Sequence, residues 1–131
     1  AALTERATRV VEPPQPIELP EGFGISVFVD GLSNPRMMAL GPDGWLYVAE
    51  RGANRIIRLP DRNGDGLADA VKVVASGLNT PSSIAFYEDG SLYVGETRRV
   101  LRLSSPNEDG VYQEIEVVVD DLPAGGGHST K

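Results

Sequence analysis

The sequence predicts an all-β fold made of repeating four-stranded units, and three observations carry that prediction. From Phe23 onward, short β-branched and aromatic runs are separated by Gly, Pro, Asn and Asp, and no segment sustains a helical period. The stretch GLSNPRMMALGPDGWLYVAE at 31–50 returns as GLNTPSSIAFYEDGSLYVGE at 77–96, a constant 46 positions later. Gly31, Leu32, Pro35, Ala39, Asp43, Gly44, Leu46, Tyr47, Val48 and Glu50 all recur identically. Each copy also carries a DG pair, which supplies the positive φ that a tight hairpin needs.

The elements follow in order. Residues 1–20 form a Pro-rich arm, with four prolines inside VVEPPQPIELP, so this part is extended and reads as a linker or edge strand. The chain begins AALTERATRV, without a methionine or a charged-then-apolar leader, which fits a processed start. Within the first unit, strand A is RMMALG, strand B WLYVAE, strand C RIIRL and strand D AVKVVAS. After a two-residue deletion the second unit resumes the register, RVLRL at 99–103 against RIIRL at 55–59. A third copy opens with VVVDDLPAGGG, which echoes VFVDGL and VVASGL.

Four strands in about 45 residues describe a β-propeller blade, and such a ring needs at least about four blades. Residues 21–131 are therefore a partial propeller, with blade one at about 25–75, blade two at about 76–120 and the start of blade three at 121–131. The expected partners are the remaining blades, and the two blades alone are expected to be unstable or to associate.

Composition narrows the function. A net charge of −7, without a basic cluster, argues against nucleic acid. The longest apolar runs fall far short of the roughly 20 residues of a membrane span. Cysteine is absent from the chain, which removes disulfides, thiolate nucleophiles and zinc–thiolate sites.

An antiparallel meander sorts the polar residues between two ends of each blade. Arg36, Asn79, Ser82, Ser83 and His128 fall at one end with Glu50 and Glu96, while the DG turns and DRNGDGLAD fall at the other. In DRNGDGLAD, Asp61, Asn63, Asp65 and Asp69 occupy positions 1, 3, 5 and 9, with Gly66 at position 6 and the Leu67 carbonyl at position 7. Oxygen donors at alternate positions can wrap Ca²⁺, although Lys72 stands where an EF-hand has its bidentate Glu. The competing reading is an Asx-capped turn that binds nothing. Glu50 and Glu96 recur in every unit beside arginines, as structural ties do, whereas catalysis needs one asymmetric constellation. Met37, Met38 and Phe86, on innermost strands, are expected in the core, and Trp45 at the surface or an interface. His128 is the single histidine and the natural general base of the chain.

GLSNPRMMALGPDGWLYVAE, DRNGDGLAD, GLNTPSSIAFYEDGSLYVGETRRVLRL and, above all, LPAGGGHSTK resemble the N-terminal part of the soluble PQQ-dependent sugar dehydrogenases, over about residues 18–131. The resemblance implies a six-bladed propeller with pyrroloquinoline quinone at the channel mouth and a sugar as substrate. It also implies that His128 takes the sugar hydroxyl proton while hydride passes to the quinone. Lys131 stands where the family usually carries Arg, which keeps the charge but not a bidentate contact. Arg36 from blade one, and Asn79, Ser82 and Ser83 from blade two, are the remaining candidates to line the cofactor pocket. A periplasmic or extracellular location goes with this reading. The alternatives are a calcium-dependent propeller lactonase, disfavoured because Arg36, Ser82 and His128 stand where channel carboxylates belong, and a non-catalytic binding module.

Overall fold

The computed structural model describes residues 11–123. Two four-stranded antiparallel sheets follow one another along the chain, each in sequential order. The first contains β1 (Pro35–Leu40), β2 (Leu46–Glu50), β3 (Arg55–Leu59) and β4 (Lys72–Ala75). The second contains β5 (Ser83–Phe86), β6 (Leu92–Gly95), β7 (Val100–Pro106) and β8 (Tyr112–Val119). The predicted all-β meander is therefore present, and these sheets are two blades of a propeller.

The registers repeat as the sequence does. Leu40 faces Leu46 and Leu46 faces Leu59 in blade one, and Phe86, Leu92 and Leu103 do the same in blade two. Pro35, Glu50 and Arg55 align at the opposite end. Side chains alternate across a strand, so β2 and β3 of blade one bury residues on both faces. Tyr47, Ala49 and Ile56 turn towards blade two and join Val74, Leu78, Ile84, Leu92, Val94, Leu101 and Leu103 in the main core. Leu46, Val48, Ile57 and Leu59 turn the other way, onto Phe28, Val29 and Leu32. Ile56 and Ile57 are successive, on opposite faces, and both fully buried. Each such side chain contributes roughly 1.5–3 kcal/mol by leaving water.

A carboxylate ties each blade together. Glu50, fully buried, accepts the Ser33 N–H at 2.7 Å on Oε2 and the Arg55 Nε–H at 2.5 Å on Oε1. Glu96 repeats this arrangement with the Asn79 N–H at 2.6 Å and Arg99 Nε–H at 2.8 Å. The loop that leads into strand A is thus pinned to the B–C hairpin, the structural role expected of the recurring acids.

The third copy also begins in the structure. Asp121 has φ 55°, where the earlier copies have Gly77 at 69° and Gly31 at 72°. The Leu122 N–H donates to the Arg98 carbonyl at 2.8 Å, as the Leu78 N–H does to the Asn54 carbonyl at 3.0 Å.

The core assignment for strand A needs correction. Met37 and Met38 are exposed, by 45% and 65%, while Ile84, at the position of Met38 in the next repeat, is only 5% exposed. The difference is positional: Ile84 is covered by blade one, and none of the described residues covers Met38. Phe86 does join the core, edge-on to Tyr47 with ring centroids 4.7 Å apart. Trp45, expected at a surface or interface, is half-buried against the core between the blades.

Replacing Glu50 by Ala leaves the Ser33 amide and the partly exposed Arg55 without their partner. The expected loss is about 2–3 kcal/mol in the intact protein, measured from the denaturant midpoint, with a Glu50→Gln exchange losing less.

Candidate functional site

The strand registers place the sequence candidates at the two ends that parity predicts. At the end of Glu50 and Glu96, Arg36 lies in β1 at a register irregularity between Pro35 and Met37 and is exposed. The Asn79 side chain is exposed there too, while its amide is held by Glu96. Ser82 is buried, and its amide and hydroxyl both donate to the Gly95 carbonyl, at 2.9 and 3.4 Å. Ser83 opens β5 and is half-buried. Asp121–Pro123 reach this same end, where Arg98 meets Asp121 at 3.7 Å. His128 and Lys131 lie outside the described residues.

The opposite end carries the loop between β3 and β4. Gly64 and Gly66 take φ 67° and 79°, which lets the chain turn back within a few residues. The oxygens of Asp61 accept the amides of Asp65 at 3.2 Å and Gly66 at 3.1 Å. Asn63 Oδ1 accepts the Asp65 amide at 3.2 Å, Asp65 Oδ1 the Leu67 amide at 2.9 Å and Asp69 Oδ2 the Arg62 amide at 2.6 Å. These bonds form the Asx-capped turn, and they leave lone pairs on every carboxylate. One oxygen from each of Asp61, Asp65 and Asp69 lies within 4.8 Å of the others. Two oxygens across one Ca²⁺, each at about 2.4 Å, are separated by about 4.8 Å at most, so the three acids have the spacing for one cation. Their hard oxygen donors suit Ca²⁺ rather than a thiophilic metal. The Leu67 side chain is buried beneath the loop.

A second ion-pair system at this end went unread in the sequence. Asp43 of the first DG turn accepts the Tyr47 hydroxyl at 2.7 Å and Arg58 Nη1 at 3.3 Å. Asp89 of the second accepts Arg102 Nη2 at 2.8 Å and the Ser91 hydroxyl at 2.5 Å. The Ser91 hydroxyl first, and then its amide, hold the Asp89 carboxyl down at about 2. These groups and Tyr112 line a cleft of about 400 Å³ between the blades. Both guanidinium groups are neutralised by the aspartates, so the cleft presents no net positive site for an anion. The signal was available: Asp43 and Arg58 recur as Asp89 and Arg102, in the same repeat that exposed the glutamates.

Among the described residues, no helix is long and apolar enough to cross a membrane.

These features define a class: two consecutive blades of a β-propeller, with a polar end rich in arginine and an opposite end with an acidic loop. The chain belongs to the family described as Domain of unknown function (DUF7133), whose model matches residues 12–129. No curated protein matches it. Among solved structures, it is similar to the holo form of the pyranose dehydrogenase PQQ domain from Coprinopsis cinerea, with a TM-score of 0.79 and 18% identity over 90% of this chain and 28% of that one. It is also similar to the calcium structure of the Trichoderma reesei carbohydrate-active enzyme of family AA12, with a TM-score of 0.74 and 20% identity over 95% of this chain and 31% of that one. The iodide structure of the same enzyme gives the same score and identity. The chain thus spans about a third of the solved chains it matches, and at these identities the likeness establishes the fold.

Burial foremost, and the Asp43 charge after it, push the Tyr112 hydroxyl up from 10.0 to about 12, and burial raises Tyr47 further. Folding therefore favours the protonated phenols, and their contribution is complete below the unfolded value near 10. Stability is expected to fall as pH rises from about 10 through about 12, and Tyr112→Phe should blunt that fall in denaturant midpoints measured across the range.

Proposed function

We propose that this chain is the N-terminal part of a PQQ-dependent sugar dehydrogenase. The observation that carries the reading is the third repeat. LPAGGGHSTK continues a strand D whose exit, at Asp121 and Leu122, takes the positive φ of both earlier exits and the amide–carbonyl bond of the exit to blade two, at the end where Arg36 and Asn79 sit. Two blades in about a third of the length of a PQQ-domain neighbour also agree with a six-bladed ring.

At that end, the donor set suits an anionic quinone. Arg36 is an exposed cation that makes no ion pair among the described residues, Asn79 and Ser83 add neutral donors, and Lys131 adds a second charge. Ser82, buried behind them, is the remaining candidate from blade two. PQQ, when bound, supplies the two-electron acceptor for the hydride that leaves the carbinol carbon. His128 accepts the proton of the sugar hydroxyl on a ring nitrogen, which builds alkoxide character at the carbon that loses hydride. The remaining blades complete the channel, and the protein works in the periplasm or outside the cell.

The intact protein, given the quinone, an aldose and an artificial electron acceptor, is expected to reduce the dye, with His128→Ala slowing it at least about 100-fold. No dye reduction, with the variant indistinguishable from the parent, refutes the reading.

At the other end, Asp61, Asn63, Asp65, Asp69 and the Leu67 carbonyl hold a structural Ca²⁺ in this proposal, drawing β3 and β4 together. Adding Ca²⁺ to chelator-treated protein is expected to raise the melting temperature, and Asp65→Ala to abolish that rise. An identical rise in the variant would count against the site.

A further inference from the structure

The loop that leads into blade two carries a strained residue that the repeat does not require. Among the described residues, Thr80 is the one β-branched residue with a positive φ, at 49°. Left-handed backbone crowds a branched Cβ, and Pro81 adds to the cost, because a residue before proline prefers extended backbone. One repeat earlier the position holds Asn34, at φ 46°, a residue type that takes this conformation readily. The blade therefore needs the conformation but not the threonine.

Both blades hold Thr80 in place. Its hydroxyl meets the Thr97 hydroxyl at 2.6 Å, and its N–H donates to Asn54 Oδ1 at 3.0 Å. Thr97 stands in the B–C turn of blade two where blade one has Arg51, so both members of the hydroxyl pair change between the repeats. Blade one joins the same two positions through the main chain, from the Arg51 N–H to the Asn34 carbonyl at 3.2 Å. Asn54 ends the B–C loop of blade one, which is two residues longer than its counterpart, and its carbonyl accepts the Leu78 N–H at 3.0 Å. The Asn79 N–H is held by Glu96 and the Ser82 N–H by the Gly95 carbonyl. Every amide from Leu78 to Ser82 is thus bound, since Pro81 has none to place. Backbone strain persists where the surroundings over-determine it, and it collects at ligand-binding positions. Between Leu78 and Ser83, the residue left exposed is Asn79.

We propose that Thr80 is a positioning residue for the ligand bound at this end of the propeller. Bonded to Thr97 of its own blade and to Asn54 of the preceding one, it locks the loop across the seam between the blades. The lock fixes where Asn79 presents its side-chain amide, which can donate and accept. Thr80 acts through Asn79 and does not itself touch the ligand. A loop fixed before the ligand arrives spares the ordering cost of binding. That the ligand is the quinone rests on the reading above, whereas the lock does not.

Variants of the full-length protein test the lock and the positioning separately. Thr80→Val keeps the branched shape and loses the hydroxyl, whereas Thr80→Ser keeps the hydroxyl. In hydrogen exchange without ligand, the amides of residues 78–83 are expected to exchange about tenfold faster in Thr80→Val and at the parent rate in Thr80→Ser. Calorimetric titration with PQQ should show binding about tenfold weaker for Thr80→Val and parent-like for Thr80→Ser. Thr80→Gly adds a readout that a merely structural role would not move. Glycine accepts the positive φ, so this variant should melt above Thr80→Val and yet bind PQQ as weakly. Parent-like PQQ binding by both the Val and the Gly variants overturns the positioning role, and unchanged exchange in Thr80→Val overturns the lock. A parent that binds no PQQ refutes the quinone reading instead, and the exchange rates then decide the proposal. If Thr80→Val does not accumulate, Thr97→Ala makes the same comparison from the other side of the bond.

Discussion

The buried carboxylates of Glu50 and Glu96 are the constraint on which the architecture depends. A charge with no exposure must find partners for its oxygens, and each glutamate finds two: an amide of the incoming loop and an arginine of strand C. The pair of bonds fixes where strand A starts relative to the B–C hairpin, which fixes the register of the sheet. Asp43 with Arg58, and Asp89 with Arg102, do the same at the opposite end, where strand A turns into strand B. Each blade is therefore clamped at both ends by an acid and an arginine, while the buried middle of its strands B and C, Val48, Ala49, Ile56 and Ile57 in blade one and Val94 and Leu101 in blade two, is apolar.

Clamping at the ends frees the faces. Because β2 and β3 send alternate apolar residues to both sides, a blade cannot satisfy itself and needs a neighbour on each face. Blade one has blade two on one side, and there Ile84, Val94 and Leu101 are buried. On blade two's outer strand, Ile115, Val117 and Val119 remain exposed, and so do Met37, Met38 and Leu40 on β1. The same sequence position is thus core or surface according to what stands beside it, as Met38 and Ile84 demonstrate.

That dependence explains which features were legible in the sequence. Strand order, the DG turns, the two-ended sorting of polar residues and the structural role of the glutamates followed from local pattern and exact repetition, and a repeat makes each inference twice. The ion pairs of Asp43 and Asp89 were equally repeated but hidden, because a DG turn already accounts for an aspartate as a turn residue. The burial of Met37 and Met38 was misjudged because innermost strands are core only in a complete ring. The acidic loop was legible as an oxygen cluster, since alternate spacing fixes which side chains converge, yet the same hydrogen bonds serve an Asx turn and a cation loop alike.

The division between repeated and unrepeated residues separates scaffold from chemistry. Glu50, Asp43, Arg55, Arg58 and the core positions have counterparts one repeat on, so each serves the blade as a unit. DRNGDGLAD in blade one corresponds to SPNEDGVYQ in blade two, which keeps the DG pair but has Ser105 and Gln113 in place of Asp61 and Asp69. Arg36 corresponds to Ser82, an exposed cation against a buried hydroxyl. A ring of equivalent blades presents a nearly symmetric channel mouth, and a substrate is recognised only where that symmetry is broken. The residues that break it lie at the strand ends, where a side chain can change without disturbing the clamps or the apolar faces. The fold can therefore keep one construction rule in both blades and still place an exposed arginine at one end and an acidic loop at the other.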